Sequence, residues 1–396
     1  MEGLKFTENP VINKKIAPLI ESLRSELIEH FHPKSIILSG SFARGEATVI
    51  EKEGKLKFLS DCEIILIPNW YIFKRNKISN FCEDFFNRTG LKVDISGTIL
   101  SFQLLVPFLR NLKPTINNYD LKYGSKTIYG RDYLKRLKDF KSEDIPLWEG
   151  IRLLFNRMIE ALEYFSPRNP TEEMVFWTDK IVLACQDTLL LSLGKYHPSF
   201  KIRNKMFLSS FPKHFGELKD KIPNLPKITV EVMNRKLRGD MNVNEPVEYW
   251  FEVAEICDEV FRYIIAKDMR IKFGDYLEFQ EKYINHPNLN RYTQLPFGNA
   301  FCQNLWSGVK RIFVHNKFFP LNVHKLHIPW AHLIYSTIPL IYFSLSRTEN
   351  EININKKYLN QVLNIPFFKK KKSDNLIEEW EFMKNQIIQY WRQICW

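Results

Sequence analysis

No Cys-x-x-Cys pair occurs in this chain. Its six cysteines, Cys62, Cys82, Cys185, Cys257, Cys302 and Cys395, are scattered through 396 residues, a pattern that supports neither a disulfide framework nor a zinc site. No uninterrupted apolar run approaches membrane-spanning length. The nearest, Trp330 to Leu345, contains His332 and Pro339 and reads as one buried helix or two shorter ones. Residues 1–10 lack the apolar core of a secretory leader, so a reducing, cytoplasmic setting without a membrane partner is expected. No internal repeat is evident, and the sole low-complexity tract is Lys369-Lys370-Lys371-Lys372.

What is present is ample apolar material, 45% of residues, enough for one large core or about two to three smaller ones. More than one domain is expected. The net charge of +12 is spread unevenly: +4 in residues 1–150, +1 in 151–270 and +7 in 271–396. The Lys369 to Lys372 run is either a solvated loop or a phosphate-binding patch, so the charge permits an RNA acceptor without requiring one. His315, His324, His327 and His332 lie close in sequence, but Pro320 and Pro329 interrupt them and no acidic partner is near, which argues against a metal site. The 31 Phe residues read as core.

Chemistry concentrates near the start. Gly40-Ser41-Phe42-Ala43-Arg44-Gly45-Glu46 follows the apolar strand Ser35 to Ser39, and Ser60-Asp61-Cys62-Glu63 heads the apolar run Ile64 to Ile67. A Gly-Ser turn between strand and helix offers N–H groups and a hydroxyl to a phosphate. Carboxylates at i and i+2 of a strand share a face, so Asp61 and Glu63 can share a divalent cation while Cys62 points the other way. Leu91 to Ser96 alternates strictly and places Asp94 on the polar face of a further strand. Between them, Tyr71 to Thr89 is long enough for a crossover helix with Gly90 as its C-cap. Val49 to Phe58 reads as a hairpin turning at Glu53-Gly54.

These residues make the chain resemble the nucleotidyltransferase superfamily of the DNA polymerase beta type. The likeness covers about the first third of the sequence: an apolar strand, Gly40-Ser41, the acidic pair Asp61 and Glu63, and Asp94 as third acid. The chain departs from the family pattern in the hairpin inserted between Ser41 and Asp61 and in carrying Glu63 where Asp is commoner. The resemblance implies an α+β fold, a small mixed-sheet nucleotidyltransferase domain followed by a mainly helical domain. The expected divisions are a catalytic domain over 1–145, a helical domain over 146–270 and a mainly helical segment over 271–396, either part of the second domain or an appended acceptor-binding module.

The helical part has its own signals. Ile151, Leu154, Phe155, Met158, Ile159 and Leu162 form one helical face, ended by Ser166-Pro167, and a second helix is expected from Thr171 to Leu193. Leu19 to Phe31 and Leu376 to Trp396 read as helices, and Ser346 to Asn355 as a polar loop. A strand within Tyr119 to Asp132 would close the first domain. Lys180 is the candidate to reach a triphosphate, or else it pairs with Asp179 or Glu173 on a solvated face. Tyr196 and Arg203 are candidates for contact with base or acceptor. Arg44 is either a phosphate ligand or a surface arginine beginning a helix.

The expected reaction is nucleotidylyl transfer, with a nucleoside triphosphate such as ATP as donor and two magnesium ions, or manganese in their place. Asp61 and Glu63 would hold the first ion, all three carboxylates the second, and Asp94 would accept the acceptor hydroxyl's proton. Gly40, Ser41, Arg44, Lys180 and Tyr196 complete the expected nucleotide site. The acceptor is a small molecule or protein hydroxyl. Two alternatives stand beside it: template-independent transfer to RNA 3′ ends, and a non-catalytic nucleotide-binding or antitoxin-like protein.

Overall fold

The computed structural model describes residues 4–68, 75–96, 113–289, 292, 302, 304–305, 328–348, 351–365, 367–371 and 373–395. Chain contacts divide it into two compact units, residues 1–149 with 189–242, and 150–188 with 243–396. The units are not contiguous segments, unlike the boundaries at 145 and 270 expected from sequence. Residues 189–242 fold with the acid-bearing part.

The first unit opens with α1 (Pro10–Phe31), which starts earlier than its sequence pattern suggested. Asn9 caps it by accepting from the N–H groups of Val11 and Ile12, and the buried stripe Ile12, Ile16, Ile20, Leu23, Leu27 and Phe31 continues past the exposed Pro18. Then follow β1 (Ser35–Ser39), the short α2 (Gly40–Arg44), β2 (Val49–Lys52), β3 (Lys55–Phe58) and β4 (Cys62–Ile67). Next come α3 (Arg75–Thr89), β5 (Val93–Ser96), α4 (Ile116–Gly124) and β6 (Lys126–Gly130). The strands β5-β4-β1-β6 form one mixed sheet in that order, with β4 and β5 parallel and β1 antiparallel to both β4 and β6. Hairpin β2-β3 stands apart as a two-stranded sheet, its turn made by Glu53 and Gly54 at φ 50° and 76°.

Both faces of the main sheet are covered. Ile36, Leu38, Cys62, Ile64, Leu66, Val93 and Ile95 pack with the apolar stripes of α1 and α3. Ile37, Ile65 and Ile67 pack on the other side with Leu121, Tyr133, Leu134 and Leu137. This double burial explains why β4 reads as a continuous apolar run after Glu63. Gly90 follows α3 with φ 71°, and its N–H bonds to the Phe86 carbonyl at 2.7 Å, the C-cap expected.

Helices α5 (Trp148–Tyr164) and α6 (Glu172–Leu191) follow and belong almost wholly to the second unit, whereas α7 (Phe200–His214), α8 (Gly216–Lys221) and α9 (Leu225–Arg238) complete the first. Glu46 anchors this return. Its carboxylate, 2% exposed, accepts from Ser199 Oγ at 2.7 Å, Phe200 N at 3.0 Å and Lys201 N at 3.2 Å, satisfying donors that α7 itself leaves open. At the far end of α9, Lys236 Nζ lies 3.4 Å from Thr48 Oγ1 beside the hairpin base.

The second unit contains α10 (Pro246–Asp268), α11 (Tyr276–Ile284), α12 (Trp330–Tyr342), β7 (Leu345–Arg347), β8 (Ile352–Ile354), α13 (Lys356–Val362) and α14 (Leu376–Ile394). Trp330 to Tyr342 is one helix despite Pro339. The loop expected over Ser346 to Asn355 is instead the short antiparallel pair β7-β8. No helix among the described residues is long and apolar enough to cross a membrane. His332 is buried, its Nδ1 2.7 Å from Tyr283 Oη, and burial lowers its pKa to about 4. His315, His324, His327, Lys372 and the apolar stretch Ile99 to Leu109 lie outside the described residues.

Replacing Glu46 with Ala removes three hydrogen bonds and a buried carboxylate that faces Arg44. The expected cost is about 3 kcal/mol in urea unfolding, with faster hydrogen exchange at the amides of Phe200 and Lys201. A loss below about 1 kcal/mol with unchanged exchange would refute this anchoring role.

Candidate active site

The sheet register assembles the acidic residues. Ser39 pairs with Glu63 across β1 and β4, and Glu63 pairs with Asp94 across β4 and β5. Facing residues on adjacent strands project to the same side, so Ser39, Glu63 and Asp94 form a row. Asp61 and Lys92 lie one position before the paired Cys62 and Val93, and the Cys62 N–H bonds to the Lys92 carbonyl at 2.8 Å. Alternation then gives Asp61, Glu63, Lys92 and Asp94 one shared face. Cys62 points the opposite way, fully buried in the core. Burial raises its thiol pKa, and the charges of Glu63 and Asp61 add to the shift.

The turn after β1 meets this face. Gly40 has φ 65°, and a Cβ built on it would stand 2.3 Å from Glu63 Oε1 and 2.5 Å from Cδ. The positive φ favours glycine there, and a Cβ would oblige the Glu63 carboxylate, at the end of an exposed side chain, to shift. Ser41 is half-buried on α2, and its carbonyl accepts from the Glu46 N–H at 2.9 Å.

Electrostatics distinguish the acids. Asp94 reaches solvent, yet desolvation by the protein around its carboxyl raises its pKa, Asp61 raises it further, and Lys92 opposes both. Asp61 Oδ2 lies 3.2 Å from Lys92 Nζ. Among the described residues no three His, Cys, Asp or Glu side chains converge as a ready metal cage. The acids therefore share a face without closing on one point. That arrangement still fits magnesium, whose sites use one or two carboxylates and take the remaining oxygens from water and substrate phosphates.

The basic and aromatic candidates have different surroundings. Arg44 is 9% exposed, with Nε 3.6 Å from Glu46 Oε2, Nη1 3.7 Å from Asp120 Oδ2, and its guanidinium over the Phe200 ring. It is neither a surface arginine nor one open to solvent. Tyr196, 4% exposed, donates to Asp120 Oδ2 at 3.3 Å and packs edge-on to Tyr119. Arg203, 1% exposed, donates from Nη1 to the carbonyls of His197 and Pro198 at 2.7 and 2.9 Å and stacks over Tyr196 and Phe200. Both were expected to meet base or acceptor; both are instead buried in the seam that seats α7. Lys180 belongs to the second unit, where its ammonium lies 3.8 Å from the Trp177 ring centroid and 4.6 Å from that of Phe176. Its neighbour Asp179 is buried and accepts from Tyr249 Oη at 2.6 Å.

Sequence reading missed Glu46, Asp120 and Lys92. Glu46 and its helix are more than 150 positions apart, so no local pattern marks it. Lys92 was legible in principle, because the alternation that exposes Asp94 exposes Lys92 with it. No protein-family model, curated protein or solved structure significantly matches the chain.

Two outcomes follow from this geometry. Gly40→Ala places a side chain at positive φ and obliges Glu63 to move, so it should destabilise by about 1–3 kcal/mol, and combining it with Glu63→Ala should recover part of that loss; strictly additive effects in thermal unfolding would contradict the contact. Because the folded pKa of Asp94 is raised, its protonated form is stabilised by folding. That contribution is full below its ordinary pKa of 3.8 and is lost as pH rises through the folded value. Asp94→Asn should therefore raise the melting temperature at pH 7, with the gain vanishing below the ordinary value. An unchanged difference across that range would refute the shift.

Proposed function

We propose that this chain is a divalent-metal-dependent nucleotidyltransferase, moving a nucleoside monophosphate from a nucleoside triphosphate to a hydroxyl on a small molecule or protein. The approach of Gly40 to Glu63 carries this reading. It joins the Gly-Ser turn and the acids, which are separated in sequence by the hairpin, into one surface able to meet a phosphate and a cation together.

On this reading Asp61, Glu63 and Asp94 would hold magnesium, which when bound supplies Lewis-acid polarisation of phosphoryl oxygens and of the acceptor hydroxyl. The chain's own groups do the rest. Gly40, lacking a side chain, lets the turn approach the phosphates closely, and the Ser41 hydroxyl and backbone N–H groups of the turn bind their oxygens. Asp94 is the proton acceptor: its partly desolvated carboxyl, next to Asp61, has a higher proton affinity than an ordinary aspartate. Arg44 acts one step back, holding Glu46 and Asp120 so that α2 keeps its orientation.

A small or protein acceptor accords with the charge, only +4 over residues 1–150. The lysine run is partly engaged: Lys371 Nζ lies 2.7 Å from Glu378 Oε2, and the Lys369 backbone exchanges two hydrogen bonds with Gln386. The deciding experiment incubates the chain with each α-phosphate-labelled nucleotide, magnesium, and either RNA or a metabolite and protein extract. Label should move to a small molecule or protein, and Asp61→Ala or Asp94→Asn should reduce transfer by about 100-fold or more while the protein still melts cooperatively. Label on RNA would change the acceptor class, and full transfer by Asp61→Ala would remove the proposed site.

A further inference from the structure

One cation sits among the acids. Lys92 Nζ is 3.2 Å from Asp61 Oδ2, on the face that carries Glu63 and Asp94. Its backbone is pinned, since its carbonyl accepts from Cys62 N at 2.8 Å and β5 begins one residue later. Its side chain is 65% exposed, against 44% for Asp61. A lysine so placed carries a strongly hydrated charge on a four-carbon stem with rotatable bonds.

We propose that Lys92 is the resting counterion of this site and its second phosphate ligand: its ammonium occupies Asp61 in the metal-free protein, yields that carboxylate to a divalent ion, and turns to the nucleotide's phosphates. The proposal rests on the nucleotidyltransferase reading and adds the residue that couples the two ligands. Three carboxylates on one face repel one another, and a neighbouring ammonium offsets part of that repulsion. An ammonium and a divalent cation lying against one carboxylate repel each other, so an ion bound at Asp61 weakens the Lys92 contact and favours its departure. The ion enters alongside a polyanion whose negative charge gives the displaced ammonium a new partner on the same face. Metal and nucleotide binding then become interdependent, because each makes room or charge for the other.

The test uses the full chain and Mn2+ alone, followed by electron paramagnetic resonance of the free ion, for wild type, Lys92→Met, Asp61→Asn and the double variant. Lys92→Met should tighten Mn2+ about fivefold without nucleotide, as expected for removing one unit charge from beside a divalent ion near the surface. In the Asp61→Asn background the same change should do little. Calorimetry with an α,β-methylene triphosphate in saturating Mn2+ should show the opposite sign, Lys92→Met weakening the nucleotide about three- to tenfold through loss of one charge-assisted contact. Equal Mn2+ affinity in wild type and Lys92→Met, or unchanged nucleotide affinity, would overturn the role given to Lys92 and leave the proposed reaction standing. Failure of every form to bind Mn2+, with or without the triphosphate, would overturn the metal-dependent reading itself. Neither readout depends on turnover, and the Asp61→Asn background separates a direct Lys92–Asp61 contact, whose effect it abolishes, from the general field of a nearby positive charge, whose effect it would leave in place.

Discussion

Strand β4 is apolar on both faces, and the rest of the first unit is arranged around that constraint. Cys62, Ile64 and Leu66 face the helices α1 and α3, while Ile65 and Ile67 face Leu121, Tyr133, Leu134 and Leu137. A strand covered on both sides leaves no room for ionised groups along its middle. Carboxylates are tolerated only where the second cover stops, at the end that carries Asp61 and Glu63. The same limit applies to β5, whose Val93 and Ile95 are buried while Asp94 lies at the register position of Glu63. The location of the candidate site is thus a consequence of where apolar cover ends.

Charge burial explains why several basic residues serve the fold. Arg44, Arg203 and Lys236 all approach the Phe200 ring, with Glu46 and Asp120 among them. A buried guanidinium without carboxylate or carbonyl partners would be unaffordable, and here each is placed against such groups. The result is a polar seam between α2, α4 and α7, which holds residues 189–242 in the same unit as the sheet. An arginine beside a Gly-Ser turn invites assignment to phosphate; in the structure Arg44 is largely buried and lies against Glu46, Asp120 and the Phe200 ring.

Much of the local structure was legible. The hairpin at Glu53-Gly54, the crossover helix ending at Gly90, the strand bearing Asp94 and the helix over Ile151 to Leu162 all follow from alternation, helical spacing and turn chemistry acting over a few residues. Errors arose where a local signal misled. The first helix begins at Pro10 rather than Leu19, with Pro18 on its exposed side, and the stretch from Leu345 to Ile354 contains two three-residue strands too short to show a period.

The sequence by itself determined which side chains share a face: Asp61 with Glu63, and Lys92 with Asp94, because strand alternation is set by bond geometry within each segment. It also determined where the chain turns and which stripes seek cover. Only the tertiary structure decided who meets whom. Whether Arg44 faces solvent or Glu46, whether Tyr196 is a surface or a core residue, and whether Lys92 stands beside Asp61 all depend on segments distant in sequence. For Ser199 and Glu46 the separation is 153 residues. Alternation is a property of one strand and can be read along it, whereas the pairing of charges is a property of two segments and exists only after the sheet register brings them together.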